Sequence, residues 1–303
     1  MRRSRFDVAG RTVFVTGAAR GIGAAAAQRL HAAGANVSLV GLEPEKLAAL
    51  AEQLGPRAAW FAADVADVDA LQAAVDGTVA RFGAVDVAIA NAGLMFVGRL
   101  ATAPREEVER TLEVNLLGVW RTNRAVLAEI VRNRGYLLNI ASLSAASHTP
   151  LMGAYTASKA GVEAMTDCLR VELAPTGARV GCAYFGFIDT DLVKASFAHP
   201  STQKLAALMP GFVARPAPLR DAVDAIERGV ARRSARIWAP RYVGGALALR
   251  GILQPLTEWR LRGSNRLPQA LELADPPAAG GGGGPVEQHA QLGVSAAALD
   301  NRR

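Results

Sequence analysis

The 303-residue sequence predicts an α/β protein: a doubly wound parallel sheet of about seven strands with helices on both faces. Three observations carry this. Between residues 11 and 240 short apolar runs alternate with longer helical patterns. The short runs are largely apolar, as strands buried beneath helices require. A glycine-rich turn links the first such run to the first helical pattern.

In chain order the predicted strands are 12–16, 36–40, 58–61, 85–90, 135–142, 178–184 and 235–239, mostly β-branched or Leu-rich and bounded by Gly, Asp or Pro. Helical patterns lie between them at 21–33, 44–54, 67–82, 104–132, 152–174 and 219–232. Pro44, Pro104 and Asp221 are start signals, and Gly34, Gly55 and Gly83 mark ends. Repeated β-α-β units make the crossovers right-handed and put the ligand crevice beyond the carboxyl ends of the strands. After Pro240 the pattern changes. The sequence divides into a main domain (1–240), a basic amphipathic extension (241–275) and a flexible Gly/Pro-rich tail (276–303).

Composition excludes several classes. Net charge is +7, yet residues 228–267 alone hold nine arginines against the single acid Glu258, so the rest is nearly neutral. Without a recognised binding module, that basic stretch does not predict nucleic-acid binding. Cys168 and Cys182 sit in periodic segments, and the four histidines lack ligand spacing with them, so neither a disulfide framework nor a metal site is expected. No stretch approaches a membrane span, and no apolar run of signal length follows the basic start. A cytoplasmic protein is expected, with 241–267 left open between peripheral membrane contact, packing on a partner subunit and capping the ligand entrance. No G-x-S-x-G elbow exists, which argues against a hydrolase.

Gly17-Ala18-Ala19-Arg20-Gly21-Ile22-Gly23 follows the first strand and opens the first helix. Glycines there allow a tight turn and close approach of backbone to a pyrophosphate, while the helix start offers unpaired N–H groups to the anion. The segment therefore predicts dinucleotide binding on a Rossmann-like sheet. Further motifs follow in order: Asn91-Ala92-Gly93 after the fourth strand, Asn115 inside a helical pattern, Ser142 at the end of the fifth strand, and Tyr155-x-x-x-Lys159 on the next helix. Over roughly residues 10–240 the chain resembles the short-chain dehydrogenase/reductase family.

That resemblance implies an NAD(P)-dependent oxidoreductase that moves a hydride between nicotinamide and a carbonyl or alcohol carbon. Tyr155 is then the acid/base, Ser142 the donor to the substrate oxygen, and Asn115 the holder of a proton-relaying water. Lys159, on the same helical face as Tyr155, would hold the phenol below its ordinary value of about 10, aided by the oxidised nicotinamide. Asp64 and Val65 would receive the adenine, Asn91, Ala92 and Gly93 would lie beside the ribose, and Gly186, Ile188 and Thr190 would meet the nicotinamide. Where the family carries Pro-Gly, this chain has Phe185-Gly186, which leaves that loop less restrained.

The second strand ends in Gly41 rather than an acid that would repel a 2′-phosphate, and Arg20 is near enough to pair with one. Leu42 and Glu43 speak the other way, so the cofactor is NADP or NAD, with the balance toward NADP. The resemblance implies a substrate lid at 190–215; its apolar residues, with Met95, Phe187 and Phe197, suit a lipophilic alcohol or ketone. The resemblance also implies a homodimer or homotetramer through helices 104–132 and 152–174. A non-catalytic redox sensor and an isomerase or dehydratase using the same tyrosine are the alternatives.

Overall fold

Apolar runs become strands here because helices cover both faces of the five inner strands, while the two edge strands keep exposed residues such as Trp60 and Trp238. The computed structural model describes residues 5–274; the predicted flexible tail, 276–303, lies outside the described residues. In chain order the elements begin with β1 (Thr12–Thr16), α1 (Gly21–Ala32), β2 (Asn36–Gly41), α2 (Pro44–Leu54), β3 (Ala58–Ala62) and α3 (Val68–Phe82). Next come β4 (Val87–Ala90), α4 (Arg105–Leu112), a π-helical turn (Glu113–Leu117), α5 (Gly118–Arg132), β5 (Tyr136–Ile140), α6 (Gly153–Glu172) and β6 (Arg179–Phe185). Three short helices follow: α7 (Asp191–Ala198), α8 (Pro200–Ala206) and α9 (Gly211–Ala214). Then come α10 (Leu219–Arg232), β7 (Arg236–Ala239), α11 (Tyr242–Ala248), α12 (Arg250–Arg262) and α13 (Arg266–Glu272).

The seven strands are all parallel in the order β3-β2-β1-β4-β5-β6-β7. After β3 the chain crosses back to lie beside β1, so strand order reverses between β1 and β4 and a crevice opens at their carboxyl ends. Alternate side chains of β1 serve opposite layers. Val13 and Val15 pack with Leu30 of α1, Leu47 of α2 and Ile226 of α10, whereas Phe14 packs with Val75 of α3 and Ile130 of α5. Local signals set the helix ends: Asp67 accepts from the N–H groups of Asp69 and Ala70 (2.9 and 3.0 Å), a cap that contributes about 1 kcal/mol.

Three expectations are corrected. The single helix predicted over 104–132 is two helices around the π-helical turn, because the helix takes in one extra residue where Asn115 turns toward Leu94. The fifth strand stops at Ile140, so Ser142 lies two residues beyond it and caps the short 3-10 turn Leu143–Ala145. The stretch 190–215 and the extension, each read from sequence as one undivided segment, are both broken into three short helices, and α13 packs on α8 through Ala270 and Leu205, with Leu151 in the same cluster.

Candidate active site

The site is assembled from the loops at the carboxyl ends of β1 and β4. Gly17 leaves β1 with φ +64°, and a Cβ there would stand 2.8 Å from the Ala92 Cα in the loop after β4. Only glycine lets the two loops touch. Asn91 then stitches them: its Nδ2 donates to the carbonyls of Thr16 and Gly17 (3.0 and 3.2 Å), and its own N–H donates to Thr16 Oγ1 (3.0 Å). Gly23 serves packing rather than the cavity, since a Cβ would lie 2.2 Å from the Gly17 carbonyl oxygen. Helix α1 starts with no side-chain cap and no acid in its first turn, leaving N–H groups and the positive dipole end for an anion.

Along the crevice toward β2, Gly41, Leu42 and Glu43 form a rim. Glu43 is shared by two cations, Arg20 (Nε to Oε2, 3.1 Å) and Lys46 (Nζ to Oε1, 2.6 Å). Past β3, Asp64 accepts from the Ala66 N–H (2.9 Å) and pairs with Arg110 (3.0 Å), and Val65 lies beside it in the lining.

The polar centre lies beyond β5. Tyr155 and Lys159 project from one face of α6, both buried, next to buried Ser142. The Ser142 hydroxyl can donate to the Phe185 carbonyl (3.3 Å) and accepts from the Ser144 N–H (3.1 Å), and it is close enough to Tyr155 to act on the phenol. Lys159 Nζ donates to the Ile140 carbonyl (2.8 Å) and lies 5.7 Å from the Tyr155 ring centroid. Burial lowers Lys159 to about 8. It also raises Tyr155 above its ordinary value, with the Ser142 hydrogen bond pulling the other way. Desolvation is the larger of the two effects on the phenol, and the Lys159 ammonium beside it is held on a backbone carbonyl.

Asn115 is committed elsewhere. Its side chain clasps the Leu94 backbone at both ends (2.8 Å each) and reaches Ser158 Oγ (3.2 Å), so it fixes the Gly93–Leu94 turn beside Lys159. A Cβ on Gly93 would come within 3.1 Å of Asn115 Oδ1 and 3.6 Å of Lys159 Nζ.

All these loops surround one cavity of about 1150 Å³. Every sequence-predicted site residue lines it except Gly23, Asn115 and Phe197. Phe197 packs edge-on behind Phe187 at 4.8 Å and so supports the substrate wall without forming it. Thr190, opposite Gly21, starts α7, and its Oγ1 accepts from the Val193 N–H (3.4 Å). Gly186 makes room for the extension: a Cβ would lie 2.6 Å from the Tyr242 hydroxyl.

Sequence reasoning missed several contributors. The Thr16 hydroxyl also accepts from the Ala92 N–H (3.2 Å), a role signalled only by its position just before the glycine loop. Leu261 of α12 closes one side of the cavity beside Leu253, Leu256 and Trp259, residues of the apolar stripe for which capping the entrance is one of the readings left open by the sequence. Among the described residues there is no cluster of metal-ligating side chains, and no helix is long and apolar enough to cross a membrane.

Comparison with known proteins agrees with this architecture. A family model described as short chain dehydrogenase matches residues 11–201. Nodulation protein G of Rhizobium meliloti (strain 1021) is 34% identical over 206 residues, covering 68% of this chain and 84% of that protein. Trans-4-hydroxycyclohexanecarboxylate dehydrogenase of Sinomonas cyclohexanicum is 33% identical over 201 residues (63% of this chain, 78% of that one). The 3-alpha-(or 20-beta)-hydroxysteroid dehydrogenase of Mycobacterium tuberculosis (strain ATCC 25618 / H37Rv) is 34% identical over 184 residues (60% and 71%). With its parallel seven-stranded sheet, its glycine loop and this match over most of the sheet domain, the chain belongs to the short chain dehydrogenase family, whose members use NAD or NADP.

Proposed function

We propose that the chain interconverts a lipophilic secondary alcohol and its ketone at the expense of NADP(H), with Tyr155 carrying the proton. One observation supports this above others: Tyr155, Ser142 and Lys159 converge, buried, in the same cavity that begins at the glycine loop. The residues present fit a dinucleotide. The uncapped start of α1 and the loop shaped by Gly17 would receive its pyrophosphate, Asp64 and Val65 its adenine, and Ile188 and Thr190 its nicotinamide end. The bound nicotinamide supplies or accepts the hydride.

The remaining chemistry belongs to the chain. The Ser142 hydroxyl donates to the substrate oxygen and stabilises charge developing there. The Tyr155 phenol, kept neutral by burial, gives its proton to that oxygen during reduction and recovers it during oxidation. Lys159, pinned by the Ile140 carbonyl, holds a positive charge beside the ring whenever the pH is below about 8. Asn115 keeps the Leu94 turn from shifting against it. In this reading Asn115 is a positioning residue.

The NADP preference rests on the β2 rim. Gly41 presents no acid, and Glu43 is outnumbered there by Arg20 and Lys46, leaving a net positive rim for a 2′-phosphate. Replacing Arg20 with alanine should raise KM for NADP at least about tenfold more than KM for NAD, the loss of one charge-assisted contact. Equal effects on both would remove the preference.

Substrate class follows from the walls. Met95, Phe187, Leu192, Leu208, Phe212 and Leu256 all line the cavity, whose surface is mostly apolar. Two of the relatives are named for ring-bearing alcohols, which accords with such walls. Exposed Trp120 on α5 and Val171 on α6 support self-association through these helices. A panel of lipophilic alcohols and ketones, followed by nicotinamide absorbance, tests the proposal. Stoichiometric absorbance change supports it, whereas substrate conversion without such change points to an isomerase, and no turnover across the panel to a sensor.

A further inference from the structure

We infer that the outer face of α12 is a docking surface for an anionic lipid bilayer, onto which the cavity mouth opens. Leu249, Ile252, Leu256 and Trp259 recur at helical spacing and all point to solvent, Ile252 with 69% and Trp259 with 74% of its surface exposed. Phe212 of α9 continues the patch. Phe212, Leu253, Leu256 and Trp259 also line the cavity, so the apolar patch rings its entrance instead of lying apart from it.

The patch is held in place. Arg250 pairs with Glu163 of α6 (2.8 Å), Gln254 accepts from the His148 N–H (2.8 Å), and α13 is anchored by fully buried Ala270. A helix displayed this firmly with its apolar side outward needs a partner of matching chemistry. Charge selects it. Residues 241–267 carry five arginines against the single acid Glu258, and Arg241, Arg260 and Arg262 are exposed around the stripe. An apolar stripe with a solvent-facing tryptophan, edged by arginines, matches the boundary between acyl chains and anionic headgroups. A second copy meeting this face symmetrically would bring the same arginines together. The docking surface stands on this geometry alone; delivery of a lipophilic substrate through it rests on the proposed function.

The test is co-sedimentation of the full chain with phosphatidylcholine vesicles, with and without phosphatidylglycerol, in the absence of any substrate. Binding should be at least about tenfold stronger to the anionic vesicles and should weaken as salt is added. The substitution Ile252→Glu, outside the cavity lining, should reduce it about tenfold without changing the melting temperature. Reversing two charges, Arg260→Glu with Arg262→Glu, should abolish the preference for anionic lipid. No binding, equal binding to both vesicle types, or unaltered binding by Ile252→Glu would overturn the inference. So would lipid-free self-association that Ile252→Glu dissolves, since the face would then belong to a second copy. Turnover of a water-soluble ketone is read separately, so failure here is distinguishable from failure of the oxidoreductase reading.

Discussion

Lys159 sets the main conflict at the residue scale. A positive charge is useful beside the Tyr155 phenol, yet burial disfavours it and brings the lysine from 10.5 to about 8. Because the folded value lies below the unfolded one, the folded chain binds fewer protons between pH 8 and 10.5. The penalty is therefore full below about pH 8 and fades as the pH rises toward 10.5. Replacing Lys159 with methionine should cut turnover at least about a hundredfold. It should also stabilise the fold by about 1–2 kcal/mol at neutral pH, the relieved desolvation less one lost hydrogen bond. That gain should vanish near pH 10; a variant less stable at every pH by the same margin would contradict this. Tyr155 is raised by burial, so alcohol oxidation should accelerate steeply with alkalinity, while ketone reduction stays level near neutrality. A pH-independent oxidation rate would refute the phenol as base. Tyr155, Ser142 and Lys159 were legible because their spacing is fixed by one helix and one strand end. Phe197 was not: an apolar side chain near a site reads the same whether it lines a cavity or backs the residue that does.

At the scale of elements, the strands could be read because burial on both faces writes an unbroken apolar run. The π-helical turn could not, since one inserted residue barely disturbs a helical pattern; only Asn115, a poor helix former, hinted at it. The extension was harder still. Gly244, Gly245, Gly251 and Pro255 argue against helix, yet α11 and α12 form because packing supplies what propensity does not. Arg250 is the link between this extension and α6, sharing Glu163 with the Tyr184 hydroxyl (2.9 Å). Changing Arg250 to alanine should destabilise the chain by about 1 kcal/mol, a modest figure because the arginine is half exposed. It should also raise KM for lipophilic substrates several-fold as α12 loosens, measured by thermal melts and initial rates. No change in either would detach the extension from the site.

For the whole molecule, the alternating pattern and the handedness of crossovers together led to the sheet, and the reversal between β1 and β4 puts the cavity where such sheets bind ligands. What the sequence left open is that the cavity draws its far wall from the extension, about fifty positions and more beyond the nearest motif residue, Thr190. Helical spacing shows that such a segment has an apolar side, but not what that side covers. A cavity of about 1150 Å³ with apolar walls should reward substrate length. Across a series of straight-chain ketones, kcat/KM should climb about threefold to fourfold per added methylene until the space is filled. A flat series would argue for a polar substrate instead. The central claim is that one phenol moves the proton inside a dinucleotide-binding cavity, and Tyr155→Phe tests it most directly when turnover and dinucleotide affinity are measured on the same preparation. The expected result is a loss of at least about a thousandfold in turnover with affinity for NADPH within about threefold of the parent. Turnover at the parent rate without the phenol oxygen, or a parent chain that binds neither dinucleotide, would contradict the account.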